Sequence, residues 1–83
     1  MNRDTVASDL AARGYTGYVL FDDPRSKTNV VVIAQGRAGF VTYIQDDRAQ
    51  VLPPSVREFA DEQSALADFA HRVDVWNRIT GVR

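Results

Sequence analysis

Residues 30–34 read VVVIA, and this uninterrupted apolar run constrains the fold more than any other feature of the chain. Its β-branched composition favours a strand. Successive side chains of a strand point to opposite faces of the sheet, so the even-numbered residues lie on one face, and Val31 and Ile33 lie on the other. Both faces of this strand therefore need cover from other parts of the chain.

The length of the chain, 83 residues, limits what can supply that cover. A domain of this size buries about 60–65% of the surface of its unfolded chain and builds one hydrophobic core. Hydrophobic residues make up 45% of the chain and charged residues 25%, a balance typical of globular proteins. We therefore expect a single domain over residues 1–83.

Charge disfavours several classes of partner, and the cysteine content bears on the compartment. Ten basic side chains face eleven acidic ones, and the net charge of −1 creates no overall field that would attract nucleic acid or an anionic membrane. The chain has no cysteine, which fits a reducing cytoplasm. It also has no signal-peptide pattern and no apolar run near the roughly 20 residues of a spanning helix. We expect a cytoplasmic protein that binds neither nucleic acid nor membranes.

The sequence predicts a helix at each end of the chain. The first helix begins at Asn2 or Asp4 as its N-cap and ends before Gly14, where a left-handed residue would stop it. The last helix begins after Asp61, a good N-cap, and continues to about residue 79. Its apolar residues recur at helical spacing: Leu66, Phe69, Ala70, Val73 and Trp76.

Between the helices, the pattern predicts strands at residues 18–21, 29–34, 40–44 and 50–52, with Gly, Pro and Asp in the turns. Residues 55–59 fit either a helix capping box or a short edge strand, and we favour the strand. The predicted class is α+β: a small antiparallel meander of three to five strands, with a short N-terminal helix and a long C-terminal helix, in the order α-β-β-β-β-α.

Acidic residues follow two of the predicted strands. Asp22 and Asp23 follow the first strand, and Asp46, Asp47 and Arg48 follow the third. In an antiparallel meander these turns lie at the same rim of the sheet. Their carboxylates are the ligands that Ca²⁺ and Mg²⁺ prefer, but the spacing matches no known loop and basic residues share the rim, so we expect no metal. A plain solvated turn and an acidic docking rim both remain open, because aspartate is common in turns.

The sequence offers little for catalysis. His71 is the only histidine, and it is predicted on the polar face of the last helix between Asp68 and Asp74. No serine, threonine or lysine is placed to be its nucleophile, and no phosphate-binding or zinc-binding motif occurs. The sequence therefore predicts no catalytic residue, no cofactor and no metal, that is, a protein that is not an enzyme.

The number of helices bears on how much of the sheet is covered. Two helices that pack together cover one face of a three- or four-stranded sheet and leave the other partly bare, whereas one helix on each face would leave nothing exposed. We expect a bare face with apolar patches. Its candidate residues are Tyr18, Val31, Ile33, Val41 and Tyr43. The alternative is that the residues alternating with these along the strands are the exposed ones. Apolar surface inside a polar rim is the usual mark of a protein interface. The predicted partner-binding residues are Tyr18, Asp22, Asp23, Tyr43, Asp46, Asp47 and Arg48.

The order of these features resembles the small immunity proteins of bacterial polymorphic toxin systems. The resemblance rests on RGY at residues 13–15, VVVI at 30–33 with FVTY at 40–43, DDR at 46–48, and the helix start FADEQSALADF at 59–69. Together these segments span most of the chain. The resemblance implies a stoichiometric antidote, made in the cytoplasm beside a cognate protein toxin, that blocks or distorts the active site of that toxin. It does not imply the chemistry of the toxin.

Two other functions fit the same features. A phage-encoded inhibitor of a host defence would use the same surface against another protein target. A structural or regulatory homodimer would pair through the bare face or through the edge of the fourth strand, and it would need no foreign partner.

Overall fold

A computed structural model of the protein describes residues 1–80, so residues 81–83 of the predicted domain lie outside the described residues. The elements are α1 (Arg3–Ala12), β1 (Tyr18–Leu20), β2 (Val30–Gln35), β3 (Phe40–Gln45), a 3₁₀ turn (Pro53–Ser55), β4 (Arg57–Phe59) and α2 (Glu62–Thr80). The predicted α+β class and the order α-β-β-β-β-α are confirmed.

The ends of α1 are set by local hydrogen bonds. The side chain of Asn2 accepts from the N–H of Thr5 at 2.9 Å, and Oγ1 of Thr5 accepts from the N–H of Asn2 at 3.0 Å. At the other end, Gly14 has a φ of +73°, and the N–H of Tyr15 donates to the carbonyl of Leu10 at 3.1 Å. This is a Schellman motif, and both predicted ends of the helix are confirmed.

The helix α2 begins as predicted. Oδ2 of Asp61 accepts from the N–H of Ser64 at 2.8 Å, and this hydrogen bond lowers the pKa of the Asp61 carboxyl. Within the described part of the chain, neither helix combines the length and the apolar character that crossing a bilayer requires.

The fourth strand lies later in the chain than residues 50–52. There, Val51 makes only an isolated bridge with Gln45, because the two prolines that follow cannot donate to a ladder. β4 pairs with β3 in antiparallel fashion instead, with Phe40 opposite Phe59. The strand that we favoured within residues 55–59 is therefore confirmed.

The strand order is β1-β2-β3-β4, and β1 pairs with β2 in parallel. Tyr18 lies opposite Val31, and Leu20 lies opposite Ile33. The other two pairs are antiparallel, as predicted. The prediction of an antiparallel meander is therefore wrong for the pair of β1 and β2.

The connection of residues 21–29, which we call the crossover, makes the parallel pair possible. Parallel strands normally need a connection of about a dozen or more residues. Here the chain bends sharply through left-handed backbone at Phe21, Arg25 and Asn29, with φ of +54°, +44° and +55°. The N–H of Asn29 then donates to the carbonyl of Asp46 at 3.1 Å, at the start of β2.

Both helices pack on one face of the sheet, rather than one on each face. The buried cluster on this face combines residues of α1, β2 and α2: Val6, Leu10, Val31, Ile33, Ala65, Leu66, Phe69 and Val73.

The crossover covers much of the opposite face. A second buried cluster lies on that face and packs against Tyr43: Val19, Val30 and Val32. Nε2 of Gln45, on the same face, donates to the carbonyl of Lys27 in the crossover at 2.8 Å. The prediction of a bare face is therefore wrong. The crossover has the composition of a turn, but it lies against this face of the sheet.

Candidate functional site

An open groove with a volume of about 410 Å³ lies between the 3₁₀ turn and the C-terminal half of α2. Its apolar lining is Ile44, Pro54, Val75, Trp76 and Ile79. Its polar lining is Ser55, Arg57, His71 and Arg72. We call this feature the groove.

Two of the exposed large apolar side chains of residues 1–80, both on α2, line the groove. On α2, Val75 is 36% exposed and Ile79 is 74% exposed. On either side of the 3₁₀ turn, Leu52 and Val56 are 39% and 40% exposed. Val75 and Ile79, which line the groove, form what we call the apolar patch. Apolar surface of this kind, with a polar rim, is typical of a protein interface.

The carboxylate of Asp68 on α2 holds one end of the groove together. Its Oδ1 accepts from Nη1 of Arg57 at 2.7 Å, and its Oδ2 accepts from Oγ1 of Thr42 at 2.7 Å and lies 3.2 Å from Nε of Arg72. The Asp68 side chain is only 12% exposed, and a charge with so little access to water needs such partners. Asp68 thus joins β3, β4 and α2.

Ser55 attaches the other wall of the groove. Its Oγ accepts from the N–H of Ile44 at 2.9 Å and donates to the carbonyl of Leu52 at 2.6 Å. Its own carbonyl accepts from Nη1 of Arg72 at 2.7 Å. The N–H of Ile44 is thus satisfied by a side chain, while the carbonyl of Ile44 accepts from the N–H of Leu52 at 2.9 Å.

The groove is positively charged. Burial lowers the pKa of the Arg72 guanidinium, the charge of Asp68 opposes that shift, and the guanidinium stays charged at neutral pH. The Arg57 side chain is 60% exposed and presents its charge to solvent. Asp68 balances one of these two arginines, and no carboxylate of residues 1–80 lines the groove. An anionic group of a partner is therefore favoured there.

The C-terminal half of α2 is fixed against the segment before β1. The buried side chain of Asn77 accepts from the N–H of Thr16 at 3.1 Å and donates to its carbonyl at 2.9 Å. Gly17 has a φ of +76°, and a Cβ there would lie 3.1 Å from Nε1 of Trp76. The absence of a side chain at Gly17 therefore lets Trp76 pack closely, which sets the helical wall of the groove.

Tyr18 and Tyr43 lie on opposite faces of the sheet. Tyr18 packs edge-on against Phe69 under α2, with ring centroids 6.0 Å apart. Tyr43 packs against the second cluster, where burial and the charge of Asp23 raise the pKa of its hydroxyl. The residues predicted for the bare face therefore come from two faces. Of the others in that set, Val31 and Ile33 are buried under the helices, and Val41 is half-buried. A role of either tyrosine in partner binding stays a prediction.

The acidic pairs at residues 22–23 and 46–47 do not share a rim, because β1 and β2 are parallel. The N–H of Phe21 donates to the carbonyl of Ile33, so the first pair begins near the C-terminal end of β2. The second pair begins at the opposite end, where its first carbonyl accepts from the N–H of Asn29. Along an extended strand these two levels are roughly 13 Å apart. The predicted shared rim is therefore wrong.

Asp46 is engaged by its own turn. Its Oδ1 accepts from the N–H of Gln50 at 3.1 Å and from the N–H of Arg48 at 2.9 Å, and these hydrogen bonds lower the pKa of the carboxyl. Asp47 and Arg48 are exposed. Asp46 therefore has a structural role, and contact of this turn with a partner stays a prediction.

Asp22 and Asp23 organise the crossover in a similar way. Oδ1 of Asp22 accepts from the N–H of Asp23 at 2.8 Å, and Oδ1 of Asp23 accepts from the N–H of Arg25 at 3.0 Å. An exposed ion pair of 3.3 Å also joins Asp23 to Arg25. Within residues 1–80, no three or more His, Cys, Asp or Glu side chains are grouped so that they could hold a metal ion.

A second depression, of about 530 Å³, lies beside the β2–β3 turn and β4. The backbone approaches closely there, since a Cβ on Gly39 would lie 2.3 Å from the carbonyl oxygen of Phe59. Its charged residues, Arg37 and Glu58, have opposite signs, and its large apolar side chains are half-buried. It therefore offers a partner less apolar surface and less net charge than the groove.

Comparison of the chain with protein-family models, with curated proteins and with solved structures finds no significant match. The resemblance to immunity proteins thus stays an expectation. The groove and the apolar patch are the features of the structure that bear on function.

The residues of the groove escaped the sequence-based prediction, because they come from segments far apart in the chain. One signal was present: Asp68, Arg72, Val75 and Ile79 recur at helical spacing on α2, beside the core stripe. Two apolar positions outside the buried stripe indicate a surface that binds. The other wall, residues 52–57, could not be assigned, because its contacts with α2 depend on the tertiary fold.

Proposed function

We propose that this chain is a stoichiometric protein-binding inhibitor without enzymatic activity: an immunity protein that neutralises a cognate bacterial toxin in the cytoplasm. The observation that carries the proposal is the apolar patch beside a positively charged groove. Covering apolar surface with a partner is favourable by about 25 cal/mol per Å² removed from water.

The groove also suits tight binding because its polar lining is fixed in advance. Asp68 orients the guanidinium groups of Arg57 and Arg72, and Ser55 anchors the 3₁₀ turn. Side chains that are already ordered lose less conformational entropy when a partner binds. This preorganisation favours an inhibitor that docks as a rigid body.

Coexpression with the product of the neighbouring gene tests the proposal. We expect a complex of defined stoichiometry by size exclusion with light scattering, and loss of the toxic activity at an equimolar ratio. Failure to form a complex at micromolar concentration would contradict the proposal, because an inhibitor that acts stoichiometrically requires a submicromolar Kd.

Matched variants test the surface. The double substitution Val75→Glu with Ile79→Glu places charge in the apolar patch, and we expect it to weaken the complex by about tenfold or more. Ala11→Glu, at an exposed position of α1, is the control and should leave the affinity unchanged. Equal affinities of the two variants would show that the partner binds elsewhere.

A homodimer is the second candidate function, and the edge position of β4 favours it. An edge strand presents unpaired N–H and C=O groups that a second copy can pair with. Light scattering of the isolated protein separates a dimer from a monomer. A phage-encoded inhibitor of a host defence would use the same apolar patch, and the identity of the neighbouring genes distinguishes it from a toxin antidote.

A further inference from the structure

We propose that the groove binds an acidic amphipathic segment of the partner protein, with a large apolar side chain between Pro54 and α2 and a carboxylate on Arg57. The inference rests on the proposed function and specifies the partner's chemistry. It is argued from the charge of the groove, from the free donors of Arg57 and from the apolar lining.

The charged side chains that line the groove are basic. Arg57, His71 and Arg72 line the groove without any carboxylate from residues 1–80. Asp68 lies behind the two arginines, and three donors already engage its oxygens. The arginine charge that Asp68 leaves unbalanced is directed toward the opening, where it attracts anions and repels cations.

Arg57 has the geometry of a carboxylate receptor. Its Nη1 donates to Asp68 at 2.7 Å, which fixes the plane of a guanidinium that carries five N–H donors. Nε and Nη2 make no hydrogen bond to residues 1–80, and the side chain is largely exposed. These two donors form a fork that matches both oxygens of a carboxylate.

The apolar lining of the groove favours a partner segment with a large apolar side chain. Val75 and Ile79 lie on successive turns of α2, and Pro54 faces them across the groove. A volume of about 410 Å³ is near the lower end of the roughly 300–1,000 Å³ typical of ligand pockets. This space suits an apolar anchor of a peptide.

Other occupants fit the surface less well. Nucleic acid requires several cations that neutralise successive phosphates, whereas Arg57 is the one largely exposed arginine among the described residues of the lining. A second copy could offer an acidic turn such as residues 46–47, but the Asp46 carboxylate is already engaged by N–H groups of its own turn. Both occupants are distinguishable outcomes of the test.

The test uses intact protein and three synthetic probes: an acidic amphipathic peptide of Leu, Phe, Asp and Glu, the same peptide with Asn and Gln in place of the acids, and an oligothymidylate. Trp76 is the only tryptophan and lines the groove, so its fluorescence reports binding. We expect the acidic peptide to bind about tenfold more tightly than its neutral form at low salt, with the difference reduced by added salt. Equal binding of both peptides, or preference for the oligonucleotide, would overturn the inference.

Variants locate the contact. Arg57→Gln should remove most of the preference for the acidic peptide, Arg57→Lys should retain part of it, and Arg37→Gln on the β2–β3 turn should leave it intact. Urea unfolding of each variant confirms that the fold persists. A preference that survives Arg57→Gln in folded protein would refute the assigned role.

The same variants separate this inference from the proposed function. If the toxin forms a stoichiometric complex whose affinity is unchanged by Arg57→Gln and by Ile79→Glu, the inhibitor function stands and the acidic-segment inference fails. If the acidic peptide binds through Arg57 while no neighbouring gene product binds, the chemistry of the groove stands and the inhibitor function fails. Self-association that depends on Ile79 would assign the groove to a second copy and overturn the inference.

Discussion

Oδ1 of Asp68 on α2 accepts a hydrogen bond of 2.7 Å from Nη1 of Arg57 on β4, and this contact connects the longest helix to the edge of the sheet. The same carboxylate accepts from Thr42 and pairs with Arg72. One partly buried charge thus holds three elements that meet at the groove. Its removal has consequences both for stability and for the shape of the proposed binding surface.

Asp68→Ala should lower the free energy of unfolding by about 2–4 kcal/mol, because it leaves Arg72 poorly solvated and without its carboxylate partner. Asp9→Ala is the matched control, since Asp9 and Arg13 form an exposed i,i+4 pair at 3.1 Å. The control should change stability by less than about 0.5 kcal/mol. Urea unfolding measures both, and similar effects of the two substitutions would contradict the role assigned to Asp68.

Gly17→Ala should destabilise the protein by about 1–2 kcal/mol. The added Cβ would require a left-handed conformation and would press on Trp76. Gly36→Ala is the control, since a Cβ there would meet only the carbonyl of Gly39 at an ordinary 3.6 Å. Thermal unfolding followed by tryptophan fluorescence measures the difference. A loss of stability at Gly36 as large as that at Gly17 would argue against the specific contact with Trp76.

Asn77→Leu should cost about 2–3 kcal/mol although it keeps a side chain of similar size. The substitution leaves the N–H and the carbonyl of Thr16 without their partner in a partly buried site, inside which the Asn77 side chain is buried. Hydrogen exchange provides a local readout, since the Thr16 amide should lose protection while amides of β2 keep it. Unchanged protection at Thr16 would show that the Asn77 amide is not needed to hold this segment.

Stability should depend on pH through Asp46. Its folded-state pKa lies below the unfolded value of about 3.9, so its contribution is complete above that pH and is lost as the pH falls through the folded pKa. Urea unfolding between about pH 2 and pH 7 should show wild type more stable than Asp46→Asn at neutral pH, with the gap closing in acid. Asp47→Asn is the control, and its gap to wild type should be small throughout. If the difference in stability between wild type and Asp46→Asn does not vary with pH, the charge of the Asp46 carboxylate does not contribute to stability.

Local signals predicted the helix ends because their causes are local. Asn2, Gly14 and Asp61 act on backbone groups within one helical turn, so their effect can be read without the tertiary fold. The buried stripe of α2 was predictable for the same reason, since its spacing matches the helical period.

The direction of β1 could not be predicted from local pattern. The bends of the crossover occur at Phe21, Arg25 and Asn29 and not at glycine, so composition gives little sign of them. Tertiary contacts support this backbone: the guanidinium of Arg3 lies 3.6 Å from the centre of the Phe21 ring. The incorrect shared rim and the incorrect bare face both follow from this one connection.

The apolar patch has a consequence for how such a protein can change over time. Val75 and Ile79 lie on α2 outside the buried stripe, so the side chains that would meet a partner are separate from those that hold the helix in place. Under the proposed function, recognition and folding are encoded by different positions of the same helix. A lineage that must follow a drifting target can exchange the first set freely while the second preserves the architecture.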